Sequence, residues 1–134
     1  MVKKNCNGGQ RRLKSSDLLI IIPAYNEEGS IQTVVDNIIQ NYSQYDYVII
    51  NDGSRDRTSE ICHNNGYNII DLPVNLGLAG AFQTGLLYAY QHGYEKAVQF
   101  DADGQHLPEY IAALEEEIDK GNKMVMNQIL FLIY

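Results

Sequence analysis

Asp101 and Asp103 stand one residue apart at the end of the apolar run Ala97-Val98-Gln99-Phe100. Strand alternation sends both carboxylates to the same side. Two such groups at the mouth of a sheet suit a hard divalent cation, which takes oxygen ligands and leaves positions for water and a substrate phosphate. Gly104 then turns the chain, and Leu107-Pro108-Glu109 opens a predicted helix. An acidic turn with a helix cap would account for the tripeptide equally well. Two further acidic loops bear on the choice: Glu27 and Glu28 follow one apolar run, and Asp52 follows another.

The elements that must carry these loops repeat. Leu18-Leu19-Ile20-Ile21-Ile22 is a continuous apolar run, as in strands buried on both faces of a parallel sheet. Ile31, Val34, Val35, Ile38 and Ile39 follow at helical spacing. Tyr47–Ile50 predicts a second strand, and Asp56 a cap for the helix carrying Thr58, Ile61 and Cys62. Tyr67–Leu72 predicts a third strand. A third helix carries Ala81, Gly85 and Ala89 at a spacing that allows close packing. Lys96–Phe100 predicts a fourth strand, and Ile111, Leu114 and Ile118 the stripe of a fourth helix. Gly66 and Gly93 mark helix ends.

Alternating strands and helices predict an α/β domain with a mainly parallel sheet covered on both faces. Ligands of such sheets bind beyond the carboxyl ends of the strands. The three acidic loops fall at that edge, where their charges repel unless a cation or hydrogen bonds compensate. Asp52 also reads as a turn residue ahead of Gly53.

Composition limits the function. At 134 residues, 45% of them hydrophobic, the chain can bury a core as one domain. Net charge is −7, yet Lys3, Lys4, Arg11, Arg12 and Lys14 precede the first acid, so the remaining body is more acidic still. This argues against a nucleic-acid partner. Residues 1–16 form a basic polar extension without the apolar core of a signal peptide, so no secretion is inferred. That cluster could touch an anionic membrane surface; the plainer reading is a disordered leader. Cys6 and Cys62 lack metal-ligand spacing and read as free thiols of a reducing compartment. His63, His92 and His106 form no ligand motif.

Four segments in order, Ile21-Ile22-Pro23-Ala24-Tyr25-Asn26-Glu27-Glu28, Ile50-Asn51-Asp52-Gly53-Ser54-Arg55-Asp56, Asn75-Leu76-Gly77 with Gly85, and Asp101-Ala102-Asp103-Gly104-Gln105-His106, resemble the family 2 glycosyltransferases of the GT-A fold. The flavour is that of dolichyl-phosphate mannosyltransferases and bacterial polysaccharide transferases. The resemblance implies a nucleotide-sugar donor and a polysaccharide or polyprenyl-phosphate acceptor. It implies that Pro23, Ala24, Tyr25 and Glu27 line the nucleotide pocket, and that Asp52 bonds the base or ribose. Asp101 and Asp103 would hold the sugar diphosphate through magnesium or manganese, with Ala102 at the ribose and Gln105 joining the metal shell. It further implies inverting displacement and a cytoplasmic location at the inner face of the membrane.

The resemblance divides the chain into the extension 1–16, a nucleotide-sugar-binding part 17–126 and a non-matching end 127–134. Lys123-Met124-Val125-Met126 resembles the start of a further strand, but the following residues leave the family pattern, so a truncated domain is expected. Residues 127–134 are expected to be poorly supported. No general base is named. Two alternatives stand beside the enzyme: a non-catalytic remnant that binds nucleotide only, and an unrelated doubly wound domain. Against the latter, no Walker or dinucleotide glycine motif is present.

Overall fold

The computed structural model describes residues 15–102, 113, 116, 119, 120 and 130–132. The order is β1 (Leu18–Ala24), α1 (Ile31–Asn41), β2 (Asp46–Asn51), α2 (Thr58–Asn64), β3 (Ile69–Asp71), α3 (Gly77–Gln91), β4 (Lys96–Gln99) and β5 (Leu130–Leu132). One five-stranded sheet runs β3-β2-β1-β4-β5. β1 pairs in parallel with β2 and β4, and β2 with β3, as the alternating pattern predicts. The fifth strand was not expected at these residues: Leu130–Leu132 runs antiparallel along β4, Ala97 opposite Phe131.

The apolar run of β1 lies at the centre because both its faces are covered. Leu18, Ile20, Ile22 and Ala24 join the core beneath α1 and α2, with Ile31, Val35, Ile38, Ile49 and Cys62. Leu19 and Ile21 face the other way, onto Ala81, Phe82 and Ala89 of α3, with Val48 and Ile50. The close approach expected of α3 is present. A Cβ added at Gly85 would lie 2.3 Å from Ile21 Cγ2, so only hydrogen fits between this helix and the central strand.

Some local expectations change. Ile39 is exposed rather than part of the α1 stripe; the buried set on that helix is Ile31, Val34, Val35 and Ile38. A stripe about 100° wide holds four residues of this helix, and Ile39 falls past its edge. β3 is shorter than Tyr67–Leu72, because its ladder with β2 covers Ile69–Asp71 alone. Asp56 does cap α2, from one place further out: its Oδ1 accepts from Thr58 N–H at 2.9 Å, while Arg57 occupies the flanking position. Gly66 and Gly93 end their helices at φ of 68° and 75°, where a side chain would be strained. Ala113, Glu116 and Asp119 are helical, spaced as expected for the fourth helix; Ile111, Leu114 and Ile118 lie outside the described residues.

Candidate nucleotide-binding site

The sheet order places a switch point at β1. The chain leaves it toward β2 and β3, then returns to its other side as β4. Loops on either side of such a point diverge and leave a crevice at the carboxyl edge. A cavity of about 330 Å³ occupies it, lined by Pro23, Ala24, Tyr25, Glu27, Asp52, Asn75, Gly77, Leu78, Ala81, Asp101 and Ala102. That volume lies in the range of small-molecule sites. Every proposed lining residue within the described chain is there: Pro23, Ala24, Tyr25, Glu27, Asp52, Asp101 and Ala102. Asp103 and Gln105 lie outside the described residues, as do Cys6 and His106.

Hydrogen bonds across long sequence separations fix the cavity walls. Asn26 takes a positive φ of 53°, which asparagine tolerates better than most residues. Its N–H donates to Ser54 Oγ at 2.9 Å, and its Oδ1 accepts from Arg55 N–H at 2.8 Å. Glu27 N–H donates to Thr58 Oγ1, and Glu28 N–H to Asp56 Oδ2. Glu28 returns a bond by accepting from Arg57 N–H, which turns its carboxylate toward α2 and leaves it out of the cavity lining. The loop after β1 is thus laced to the loop after β2. Ser30 ties it to the third wall, its hydroxyl lying 2.8 Å from both Glu27 Oε2 and the Ala102 carbonyl, which share its proton.

Asp52 is 4% exposed and held at both ends. Its N–H donates to the Ala24 carbonyl at 2.8 Å, and its Oδ1 accepts from Leu76 N–H at 2.7 Å. Gly53 behind it, at φ 69°, lets the turn press onto the next loop; a Cβ there would meet Asn75 N at 2.7 Å. Asp52 therefore does hold a turn, and it lines the cavity as well.

Among the described residues, three carboxylates, Glu27, Asp52 and Asp101, and no lysine or arginine line the cavity. Each carboxylate accepts a hydrogen bond, from Ser30, Leu76 N–H and Gln99 Nε2 respectively, the last at 3.2 Å. These bonds offset the mutual repulsion without supplying positive charge. Oxygen donors of this kind fit a hard divalent cation, whose charge would also favour a diphosphate beside them. Asp101 is the described residue that fits as its ligand. Among the described residues, no group of three or more His, Cys, Asp or Glu could hold a metal by itself.

Sequence reading did not assign Asn75, Gly77, Leu78 and Ala81 to the lining. The Asn75-Leu76-Gly77 motif was the available signal, since Asn75 Oδ1 accepts from Gly77 N–H at 3.0 Å and opens α3 beside the cavity. Behind the site, Asp71 Oδ1 accepts from Asn51 Nδ2 at 2.7 Å, and Asp71 Oδ2 lies 2.6 Å from His63 Nε2. Burial works to raise the Asp71 pKa. Hydrogen bonds from Asn51, His63 and Ser59 outweigh it and hold the carboxyl below its ordinary range. Burial pushes the Cys62 thiol up to about 11, helped by the Asp71 charge, so this cysteine is packing rather than a nucleophile.

The doubly wound sheet with its cavity at the switch point defines an α/β domain of the open-sheet class. The sequence model of glycosyl transferase family 2 matches residues 19–131, and the chain belongs to that family. It is 39% identical over 123 residues to a UDP-N-acetylglucosamine–dolichyl-phosphate N-acetylglucosaminyltransferase of Methanococcus voltae, a match covering 79% of this chain and 49% of the relative. It is 28% identical over 109 residues to a polyprenol monophosphomannose synthase of Mycolicibacterium smegmatis, covering 77% and 41%. The chain thus spans about half the length of the curated relatives it matches. Among solved structures, glucosyl-3-phosphoglycerate synthase of Mycobacterium tuberculosis in complex with Mn2+ and UDP-glucose superposes with a TM-score of 0.64 at 22% identity, over 80% of this chain and 40% of that one. This likeness shows the fold, which is the GT-A architecture expected. Among the described residues, no helix is long and apolar enough to cross a membrane.

Proposed function

We propose that the chain forms the donor-binding part of a glycosyltransferase that moves a sugar from a nucleoside diphosphate to a lipid-phosphate or polysaccharide acceptor. The observation that carries this reading is the cavity at the switch point, where Glu27, Asp52 and Asp101 converge with no basic residue among the described lining. Tyr25, 43% exposed at the cavity wall, offers a face for a base, and Asp52 an acceptor for a base N–H or a ribose hydroxyl. Asp101, with Asp103 and Gln105 as further proposed ligands, would hold magnesium or manganese. The ion would neutralise the diphosphate and ease its departure. The M. smegmatis and M. voltae relatives, by their names, use polyprenol or dolichyl phosphate. This supports a lipid-phosphate acceptor here; peripheral association with the inner face of a membrane belongs to the same proposal. Inversion at the sugar carbon is part of the same proposal.

The test is binding and transfer. Calorimetry with UDP, GDP and their sugars, with manganese or magnesium, should show metal-dependent affinity. Incubation with polyprenyl phosphate then asks whether sugar moves. Binding without transfer would assign the chain a nucleotide-binding role alone. Absence of nucleotide binding would defeat the proposal.

A further inference from the structure

Asn51 precedes Asp52 and is 3% exposed, so its amide has few ways to be satisfied. Its Oδ1 accepts from Ser54 N–H at 3.2 Å, closing the turn that presents Asp52. Its backbone carbonyl accepts from Leu72 N–H at 2.9 Å, at the start of the loop whose Leu76 N–H reaches Asp52. An amide has two ends of opposite character, and only one orientation places oxygen toward Ser54. Asp71 selects that orientation, because its carboxylate takes only donors and Asn51 Nδ2 sits 2.7 Å from it. Asp71 is itself clamped from α2, where His63 Nε2 lies at its other oxygen.

We propose that Asp71 is a positioning residue for nucleotide binding: acting through the Asn51 amide, it fixes the 51–54 turn and so the place of Asp52 in the cavity. The effect on affinity rests on the nucleotide-binding reading above; the effect on the turn does not. Without Asp71 the Asn51 amide is free to rotate, and its NH2 would then oppose the Ser54 N–H. The turn would open on the side where Gly53 packs against Asn75.

Two substitutions separate this role from general stability. Asp71→Asn keeps an oxygen that can accept from Asn51; Asp71→Ala does not. The readouts are hydrogen exchange at Ser54 N–H in nucleotide-free protein and calorimetric affinity for UDP and GDP with manganese. Asp71→Ala should speed Ser54 exchange and weaken nucleotide affinity, each by about tenfold, while Asp71→Asn stays within about threefold of the parent. Folded Asp71→Ala with parental Ser54 protection would overturn the proposal, as would equal losses in the two variants. Should Asp71→Ala fail to fold, the isosteric swap carries the test. Asn51→Asp alone should lose Ser54 protection, because its second oxygen would face the Asp71 carboxylate and be driven from the turn, and adding Asp71→Asn should restore it by reversing the donor and acceptor. A swap no better than Asn51→Asp alone would overturn the idea. If the parent binds neither nucleotide, the donor-binding reading fails, and the exchange measurements still decide the claim about the turn.

Discussion

Asp52 and Leu76 meet across the cavity edge, the aspartate Oδ1 accepting from the leucine N–H at 2.7 Å. The bond joins the turn after β2 to the residue that precedes α3. One carboxylate oxygen is thereby committed to the protein, and Asp52 Oδ2 has no partner among the described residues. Asp52→Ala should weaken nucleoside diphosphate binding by roughly 1.5–3 kcal/mol, the worth of a hydrogen bond to a charged group. Asp52→Asn, which can keep the Leu76 bond through its amide oxygen, should lose less. Calorimetry checks both, and equal affinity for parent and alanine variant would reduce Asp52 to a turn former.

Metal and nucleotide should bind cooperatively. Three carboxylates line the cavity, and such a lining repels a diphosphate. Each ligand should therefore improve the other's affinity by the same factor. Asp101→Asn should remove most of that factor while leaving metal-free nucleotide affinity unchanged or slightly better. Titrations with and without manganese measure it. A parent whose nucleotide affinity ignores manganese would remove the metal from the reading.

The contact between Gly85 and Ile21 predicts a stability effect away from the chemistry. Ile21 is fully buried in the central strand, so it has nowhere to retreat from a methyl group. Gly85→Ala should therefore destabilise the fold by about 1–3 kcal/mol through overpacking, despite alanine's better helix propensity. A lower urea midpoint with an unchanged slope would report this. A more stable variant would mean that α3 can slide.

Asp46, at the opposite edge of the sheet, predicts a pH dependence. Partial burial works to raise its pKa. Bonds from the Ser15 hydroxyl and N–H, the Tyr94 hydroxyl and the Ser16 N–H prevail and lower it from 3.8. A carboxyl depressed in the native state stabilises above its unfolded pKa and loses that contribution as pH falls through the lower native value. The parent should thus lose stability on acidification below about pH 3.8 more steeply than Asp46→Asn, and be the more stable of the two at neutral pH. Urea unfolding from pH 2 to 7 checks both limbs.

Strands buried on two faces announce themselves: Leu18–Ile22 reads as one from its residues, and its central place in the sheet is what the strand order adds. The carboxyl-edge placement of Glu27, Asp52 and Asp101 followed from the alternation of strands and helices. The lacing of the loops did not, because bonds such as Asn26 to Ser54 join side chain to backbone across 28 residues and leave no periodic trace. Asp71 and His63 were equally silent: one ends a three-residue strand, the other reads as an ordinary helix-end histidine. β5 was hidden for another reason. Three apolar residues fit a strand or a helix alike, and nothing in Leu130–Leu132 specifies an antiparallel partner.

The position of β1 also dictates an order of assembly. Its partner β2 arrives within some thirty residues, so β1, β2 and β3 can zip together from nearby segments with little loop-closure cost. The other flank stays open until β4, nearly eighty residues downstream, inserts beside it. The wall formed by Asp101 and Ala102 comes with that late strand. Such long-range pairings are the slow ones in folding. The binding cavity should accordingly be among the last features to form as the chain folds, and an added nucleotide should slow unfolding more than it speeds folding.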